Sequence, residues 1–422
     1  MKGDNNFPKD LQFYKFSAYG FLKNLRFFDP FIILFFLEMG ISYIEIGILF
    51  SIREIAVNIL ELPTGIIADS YGRRRAMIFS FISYIISFAV FYFFPGFFQY
   101  AIAMIFFSFG EAFRTGTHKA MILTYLDMKG LRDYKVHYYG YTRSASQLGS
   151  AFSALIAMGL VFFRGSYRIV FLASIIPYLL ELILMLSYPK ELDGLSEKRG
   201  DGNFFKNMID AAVKTTNDFI SIFKNRLIIK ALFNSSVFSA LYKSTKDYIQ
   251  PMIKSYALTI PVFLALSSKQ RTTIIIGMVY FFIYLMTSYT ARKSGTFSNK
   301  VKHISSGINM TYFIGTMLLL LSGIFLYLKF YLISILFFIM MYLIENLRKP
   351  LNVGYISDLI SLNVMATGLS GESQLKTIFT AFFSFLMGAV AQYAGVHVAI
   401  ITVSLIAIFI FPFIKLSEIR GK

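Results

Sequence analysis

Charged side chains interrupt several long apolar stretches of this sequence, and many of them recur at helical spacing. In one stretch Glu111, Arg114 and His118 follow one another at intervals of three and four residues, which places them on one face of a helix. An ionisable group at bilayer depth costs about 2.5–3.5 kcal/mol on insertion scales, so such groups mark solute sites, proton paths or ion pairs. We therefore predict a water-accessible cavity of mixed charge. Its candidate residues are Arg26, Asp29, Glu54, Glu111, Arg114, His118, Lys243, Lys246, Asp247, Glu345 and Arg348.

A structural interpretation of the same charges stays open. Residues three or four positions apart can form ion pairs that let a charged helix insert, without any part in binding. The pairs with this spacing are Arg26 with Asp29, Glu111 with Arg114, and Lys243 with Asp247. His118 could carry protons, because histidine titrates near neutral pH, or it could be a hydrogen-bonding helix residue. Acidic and basic residues are nearly balanced in the set, so it predicts neither a cationic nor an anionic solute.

Other kinds of chemistry find little support in the sequence. The chain has no cysteine and only four histidines, none at ligand spacing to another, so we expect no metal site and no cofactor. A phosphate-binding glycine loop, a nucleophile with a paired base and a soluble catalytic domain are all missing, which argues against an enzyme. The net charge of +18 could indicate a nucleic-acid partner, but the lysines and arginines lie between apolar stretches and form no basic domain. We predict no nucleic-acid partner.

The elements that position these residues are predicted to be membrane-spanning helices. The chain is 56% hydrophobic and has a mean hydropathy of +0.62, well above that of a soluble domain. The apolar stretches have roughly the 20 residues that a helix needs to cross a bilayer. There are about twelve of them, at 14–38, 43–67, 76–94, 97–126, 138–163, 167–188, 227–257, 271–291, 304–327, 331–349, 372–394 and 396–414. This pattern predicts an all-α membrane protein.

Basic residues are distributed unevenly between the two sides of such a bundle. Loops on one side hold about 25 lysines and arginines, whereas loops on the other side hold about 6. Because positively charged loops stay in the cytoplasm, this asymmetry places both termini there. We expect a monomeric integral protein of the plasma membrane.

One long polar segment divides the chain into halves. Residues 189–226 are predicted to be a cytoplasmic linker between an N-terminal six-helix bundle, 1–188, and a C-terminal six-helix bundle, 227–422. Apolar residues recur at helical spacing from Phe205 to Phe223, which indicates an amphipathic helix on the membrane surface or, alternatively, a partner-binding helix. The tripeptide Ser-Gln-Leu occurs at 146–148 and again at 373–375, which is consistent with duplicated halves.

The sharpest motif is the segment 61–75, which reads ELPTGIIADSYGRRR and joins the second and third apolar stretches. Gly65 would let two backbones approach closely, Gly72 can take the positive φ of a tight turn, and the arginines fix that turn to the cytoplasmic side. The segment resembles the signature between helices 2 and 3 of the major facilitator superfamily. The matching positions are Gly65, Asp69, Gly72, Arg73 and Arg74. The alternative is that the segment is only a charged hairpin.

This resemblance implies a fold of about twelve transmembrane helices in two pseudo-symmetric six-helix bundles. The cavity candidates form five groups, which lie on the first, second, fourth, seventh and tenth apolar stretches. In the family, helices 1, 4, 7 and 10 line the central cavity, and four of the five groups fall on those helices. The resemblance also implies a cytoplasmic latch that holds the halves together while the cavity faces outward. Its residues are Gly65, Asp69, Gly72, Arg73, Arg74, Asp127 and Glu372. The Glu-Leu-Pro-Thr-Gly lead-in is similar to that of bacterial and archaeal multidrug-type or uncharacterised permeases.

The function implied is transport of a small solute by alternating access, in which the halves rock about a midplane site. Proton-coupled export is our first hypothesis. The second is proton-coupled symport that imports a small metabolite or organic ion through the same cavity. A third is a transporter-like receptor that does not cycle, against which the latch motif argues. The expected partners are a small-molecule solute, protons and the lipid bilayer.

Overall fold

The computed structural model describes residues 9–193, 225–300, 303–359 and 365–418. The regular elements of these ranges are helices joined by short turns. The α-helices are α1 (Leu11–Leu22), α2 (Ile32–Glu38), α3 (Tyr43–Tyr71), α4 (Arg73–Phe93), α5 (Phe97–Arg114), α6 (Thr117–Met128), α7 (Lys135–Arg164), α8 (Ile169–Leu186), α9 (Arg226–Thr245), α10 (Ile249–Thr259), α11 (Ser268–Lys300), α12 (Ile304–Tyr327), α13 (Tyr331–Leu359), α14 (Met365–Ala394) and α15 (Val396–Ile414).

These helices form twelve passes, which we call spans 1 to 12. Span 1 is α1 with α2, span 4 is α5 with α6, span 7 is α9 with α10, and each of the other spans is one helix. Within the described ranges, eight helices are long and apolar enough to cross a membrane. The other four passes, spans 1, 2, 4 and 7, carry most of the charged residues predicted to form the cavity. The prediction of an all-α protein with about twelve membrane helices is confirmed.

Three of the charged spans are interrupted. Between α1 and α2, Pro30 lies in a short 3-10 turn and cannot donate a backbone hydrogen bond. Span 4 breaks at Thr115 and Gly116, and span 7 breaks at the 3-10 turn Lys246–Tyr248. The expectation of one continuous fourth helix is therefore wrong. The spacing that placed His118 on the same face as the charges before it does not hold across the break.

Local sequence explains where span 2 begins and ends. Ser42 and Glu45 form a capping box, in which the Ser42 amide donates to the Glu45 carboxylate at 2.8 Å. At the other end Gly72 has a φ of +104°, as the motif predicts, and the Asp193 carboxyl group lies 2.9 Å from the place where a Cβ would stand. Asp193 also accepts a hydrogen bond from the Arg74 amide at 2.6 Å, which satisfies a free amide at the start of span 3.

The bundle has two ends that differ in charge. We call the end where span 2 turns into span 3, through Arg73–Arg75, the basic end, and the end where span 1 turns into span 2 the opposite end. The first half (spans 1–6) meets the second half (spans 7–12) mainly where span 2 packs on span 11 and span 5 on span 8. Gly47 and Gly388 let the backbones of spans 2 and 11 touch. A Cβ on Gly388 would lie 2.4 Å from the Tyr43 carbonyl oxygen.

Part of the predicted domain division lies outside the described residues. Span 6 ends at Leu186 and span 7 begins at Arg226. The amphipathic helix expected in the linker falls on residues 194–224, which are outside the described ranges. The domain boundaries therefore stay a prediction.

We expect Gly388→Ala to destabilise the protein, because the added methyl group would overlap backbone atoms of span 2 rather than a movable side chain. Overpacking of this kind typically costs about 1–3 kcal/mol. Gly159→Ala is the matched control, since a Cβ there meets no described atom within 4 Å. The apparent Tm of the detergent-purified protein should fall for Gly388→Ala and stay level or rise for Gly159→Ala. Equal Tm values for the two variants would contradict the close approach.

Candidate functional site

Polar contacts hold the two halves together at the opposite end. The Ile33 amide, at the start of α2, donates to Gln250 Oε1 at 2.8 Å, and Gln250 Nε2 donates to the Asp29 carbonyl oxygen at 2.9 Å. These bonds join the interrupted parts of spans 1 and 7, where backbone groups lack their helical partners. Glu38 and Lys269 form a further ion pair between the halves. The cavity is therefore closed on this side.

Hydrogen bonds between spans 2 and 11 extend the junction toward the basic end. Ser51 Oγ donates to the Ala381 carbonyl oxygen at 2.7 Å, and Asn58 Nδ2 donates to Thr377 Oγ1 at 2.5 Å. Both bonds lie between helices of different halves. They add specific, directional contacts to the close packing of the two glycines.

A cavity opens between the halves toward the basic end. Its volume is about 790 Å³, within the range of small-molecule pockets. Both halves contribute to its wall, which holds five cationic side chains, two carboxylates and four hydroxyl groups. The lining residues are Lys119, Arg143, Ser235, Ser239, Tyr242, Lys243, Glu345, Lys349, Pro350, Val353, Glu372, Ser373 and Lys376. Of the residues predicted for the cavity, Lys243 and Glu345 belong to this wall.

One buried ion pair crosses between the halves beside this cavity. Lys243 Nζ lies 2.6 Å from Glu54 Oε2, and Arg53 Nη2 lies 3.0 Å from Glu54 Oε1. Only 1% of the Glu54 side chain is exposed, against 34% of the Lys243 side chain. An unpaired charge in a low-dielectric interior costs several kcal/mol, so Glu54 depends on its cationic partners. The pair therefore links the charge of Glu54 to contact between the halves.

A second charged cluster lies within the first half. Arg26 Nη2 donates to Glu111 Oε1 at 2.5 Å, and Arg114 Nη2 donates to Glu111 Oε2 at 2.6 Å. Two tyrosine hydroxyls complete the cluster: Tyr178 accepts from Arg26 Nε at 3.1 Å and Tyr84 accepts from Arg114 Nε at 3.2 Å. Two guanidinium groups share one carboxylate, so the cluster carries an excess positive charge.

Two of the three ion pairs expected from helical spacing are not formed. Arg26 and Lys243 bond to carboxylates of other helices rather than to Asp29 and Asp247 on their own spans. Asp247 pairs instead with the neighbouring Lys246, at 2.7 Å. Spacing along one helix predicted a local partner in each case, but the packed helices place a carboxylate closer. The third expected pair, on span 4, is formed.

His118 lies in aromatic surroundings, next to the Arg114 end of the first-half cluster. Its ring stacks on Tyr19 with the centroids 3.5 Å apart, and its Nε2 lies 3.2 Å from the Tyr188 hydroxyl. Phe16 packs edge-on against the same ring. These contacts favour the interpretation of His118 as a hydrogen-bonding helix residue over that of a proton carrier.

Arg348 is fully buried inside the second half. It donates to the side chain and the carbonyl oxygen of Asn234, and its guanidinium lies 4.5 Å from the Phe238 ring centre and 5.1 Å from that of Tyr312. Carbonyl groups and cation–π contacts thus stabilise its charge. Glu345, nearly one helical turn earlier, faces the cavity instead.

The latch arginines bond within the first half. Arg73 Nη1 donates to Thr124 Oγ1 at 2.9 Å, and Arg74 Nη1 donates to the Tyr188 carbonyl oxygen at 3.0 Å. The close backbone approach expected at Gly65 is not made, since no described atom lies within 4 Å of the place where its Cβ would stand. The open basic end of the cavity explains this difference.

The acidic latch residues with described side chains also bond within their own halves. Asp127 forms an exposed ion pair with Arg132 at 3.4 Å, and Glu372 accepts a hydrogen bond from Ser235. Asp69 lies in the last turn of span 2, and its side chain is outside the described residues. A latch between the halves stays a prediction.

Sequence reasoning missed a buried carboxylate in span 6. Glu181 is fully buried, and neither of its oxygens has a hydrogen-bond partner among the described residues. The positively charged groups that act on its carboxyl are those of Lys23 and Arg114. The signal was available, because Glu181 is the one charged residue of α8 and such a residue is costly in a bilayer.

Three basic residues of the cavity wall were also missed. Lys119, Arg143 and Lys376 lie within the apolar stretches 97–126, 138–163 and 372–394, but they were not among the residues predicted for the cavity. In the part of the chain that the structure describes, no ion pair includes any of the three. Only the packing of the two halves shows that they share one cavity.

Twelve membrane helices, with two halves joined at one end around a polar cavity that opens at the other, define an integral membrane transporter. The chain belongs to the Major Facilitator Superfamily, whose family model matches residues 19–391. The resemblance seen in the 61–75 motif is thereby confirmed. Because the members of this family are transporters, the protein is not an enzyme.

Similar proteins are themselves transporters. The uncharacterized MFS-type transporter YxaM of Bacillus subtilis (strain 168) is 31% identical over 105 residues, which cover 25% of this chain and 26% of YxaM. The crystal structure of the nucleoside transporter NupG matches with a TM-score of 0.73 at 14% identity, covering 97% of this chain and 100% of that chain. A POT family transporter in complex with 5-aminolevulinic acid matches with a TM-score of 0.72 at 16% identity, covering 98% and 96%. At such identities the likeness shows the fold.

We expect Lys243→Met to destabilise the protein by about 2–3 kcal/mol, because it leaves the buried Glu54 with Arg53 alone. This is less than the loss for a fully buried pair, since a third of Lys243 is exposed. The double variant Glu54→Gln with Lys243→Met should recover most of the loss. A double-mutant cycle on the unfolding of the detergent-purified protein measures the coupling.

The exposed pair of Asp127 and Arg132 is the matched control. Neutralising either of its members should change stability by less than about 1 kcal/mol. The same double-mutant cycle is measured for the control pair. Equal coupling energies for the two pairs would disprove the special dependence of Glu54 on Lys243.

Proposed function

We propose that this transporter moves a small solute by alternating access and couples that movement to protons. The observation that carries the proposal is the asymmetry of the junction. Contacts between the halves close the opposite end, while a cavity lined by both halves opens at the basic end. One state of an alternating-access cycle has this form. In the proposal the basic end is cytoplasmic, in keeping with the positive-inside rule, and the state is inward-open.

Glu54 is the proposed proton acceptor. In its charged form it binds Lys243 across the junction and keeps the halves together on the closed side. Protonation would remove that charge, so the carboxyl would no longer hold the ammonium group and the halves would separate more readily. Glu111 is proposed to compete with the solute for Arg26 and Arg114. A solute group that bonded to Arg26 or Arg114 would displace it.

The latch is proposed to form in the other state of the cycle. Closing the basic end would bring Asp69, Arg73 and Asp127 toward Glu372. In the open state Asp127 and Glu372 bond within their own halves, to Arg132 and Ser235, and such contacts can be exchanged at small cost. Residues 189–226 are proposed as the linker that lets the bundles 1–188 and 227–422 move. The protein is proposed to act as a monomer in the plasma membrane, with both termini in the cytoplasm.

Two directions of transport fit this mechanism. Export driven by proton entry is the first candidate from the sequence. Import by proton symport is the second, and the excess of cationic over acidic groups in the cavity wall favours it. An anion that enters a cell moves against the negative-inside potential at a cost of about 2.3 kcal/mol per charge at 100 mV, so import needs coupling. Export of an anion is already favoured by the potential.

Proton movement in proteoliposomes tests the proposal. A pH-sensitive dye is followed while anionic, neutral and cationic solutes are added in turn to one side. Alkalinisation of the solute side indicates symport, and acidification indicates antiport. We expect Glu54→Gln to abolish solute-driven proton movement, because the variant removes both the titrating group and its ion pair.

Glu191→Gln is the matched control, since Glu191 lies exposed in the turn that follows span 6. This variant should keep the wild-type rate. Two results would contradict the proposal: wild-type protein that leaves the pH unchanged for every solute, or Glu54→Gln protein that moves protons as fast as the wild type.

A further inference from the structure

We propose that the cavity binds a small anionic solute through its carboxylate or phosphate group, held between cations of both halves. This inference rests on the proposed transport function and adds to it the chemical class of the solute. Acidic and basic residues are nearly balanced among the candidates from the sequence, so the sequence predicted neither an anionic nor a cationic solute. The residues that line the cavity in the structure are not balanced in this way.

Cations outnumber carboxylates in the wall by five to two. The cationic residues are Lys119, Arg143, Lys243, Lys349 and Lys376. Lys243 and Lys349 are each neutralised by a carboxylate, at 2.6 and 3.5 Å. Lys119, Arg143 and Lys376 form no ion pair among the described residues. The remaining acids near them are Glu372, which bonds to Ser235, and Glu61, which interacts with Lys376 at longer range. The cavity therefore carries a local excess of positive charge.

The three cations without an ion pair come from different walls. Lys119 and Arg143 belong to spans 4 and 5 of the first half, and Lys376 belongs to span 11 of the second half. Like charges that line a concave site with low-dielectric walls focus a positive potential in it. They also repel one another across the gap, which favours the open basic end. An anion between them would offset this repulsion.

Such an anion would also favour one state over the other. Closing the basic end shortens the distance between the two walls, so the anion would interact more strongly with both sets of cations in the closed state. A ligand shifts a conformational equilibrium only through such a difference in affinity. The arrangement thus gives solute binding a physical means of driving closure.

The donors in the wall suit oxyanions. Arg143 can bind a carboxylate or a phosphate through two parallel hydrogen bonds, and the lysines add charge without fixed direction. The hydroxyl groups of Ser373 and Tyr242 are neutral donors in the same wall. The competing explanation is that these cations only orient the protein in the membrane, as the positive-inside rule describes, and bind no solute. In that case the cavity would have no positive potential beyond that of the surrounding loops.

The potential can be measured without knowing the solute. The chain has no cysteine, so Ser373→Cys places a single thiol in the cavity wall. Its reaction rates are measured with two methanethiosulfonates, the anionic 2-sulfonatoethyl and the cationic 2-trimethylammonioethyl reagent, each relative to its rate with free 2-mercaptoethanol. We expect the relative rate of the anionic reagent to exceed that of the cationic one by about tenfold or more, because focused potentials concentrate counter-ions. A ratio near one, or one that favours the cationic reagent, would overturn the proposal.

A charge-matched pair of variants separates the cavity from the surface. Neutralising Lys119, Arg143 and Lys376 to glutamine in the Ser373→Cys background should bring the ratio close to that of the free thiol. Neutralising three exposed cations of the basic end outside the cavity should leave the ratio unchanged. These control residues are Lys129, Lys190 and Lys415. An equal fall in both variants would mean that overall charge, and not the cavity, sets the potential.

Protection of the same thiol identifies the group that binds. Glutarate and inorganic phosphate are the anionic probes, and glutaramide is the neutral control of the same length as glutarate. We expect one anion or both to slow labelling, which distinguishes a carboxylate from a phosphate, whereas equal protection by glutaramide would overturn the proposal. The result is independent of the transport assay. A positive cavity in a protein that moves no protons would refute only the proposed function, and a neutral cavity in a protein that moves protons would refute only the anion site.

Discussion

The structure depends on keeping charges within the bilayer paired. Each ionisable side chain at that depth is costly, and at Glu54 and Glu111 this chain meets the cost with cations from other helices. Glu111 is held by two arginines inside the first half, whereas Glu54 is held by Lys243 of the second half. The first arrangement fixes how the spans of one half pack. The second also fixes how the halves meet, so a change of charge at Glu54 acts on the whole junction.

The two ends of the cavity depend on different interactions and should respond to different signals. Close glycines and the hydrogen bonds of the Gln250 side chain to backbone groups hold the opposite end shut, and the pair of Glu54 with Lys243 joins the halves beside the cavity. In our proposal, repulsion among the cations of the cavity wall favours separation of the walls at the basic end. Protonation of Glu54 would loosen the first end, and an anion would draw the second end together. In this proposal both changes favour the same alternative state, which fits the symport candidate.

Sequence reasoning succeeded where the answer depends on local patterns. Apolar length predicted the spans, and the 61–75 motif predicted the family and the turn at Gly72. It failed for partners, because spacing shows which residues share a helix face but not which helix that face meets. Lys243 lies four positions from Asp247, yet it bonds to Glu54, 189 positions away. The break in span 4 likewise moved His118 into aromatic packing, and no periodicity signals such a break.

Distances across both ends in a variant of Glu54 test the central claim most directly. On this cysteine-free chain, spin labels at Phe94 and Leu328 report the opposite end, and labels at Met128 and Val353 report the basic end. Pulsed electron spin resonance measures both distance distributions. With Glu54→Gln we predict longer distances at the opposite end and shorter distances at the basic end. Unchanged distributions at both ends would contradict the claim that this ion pair holds the halves in their present arrangement.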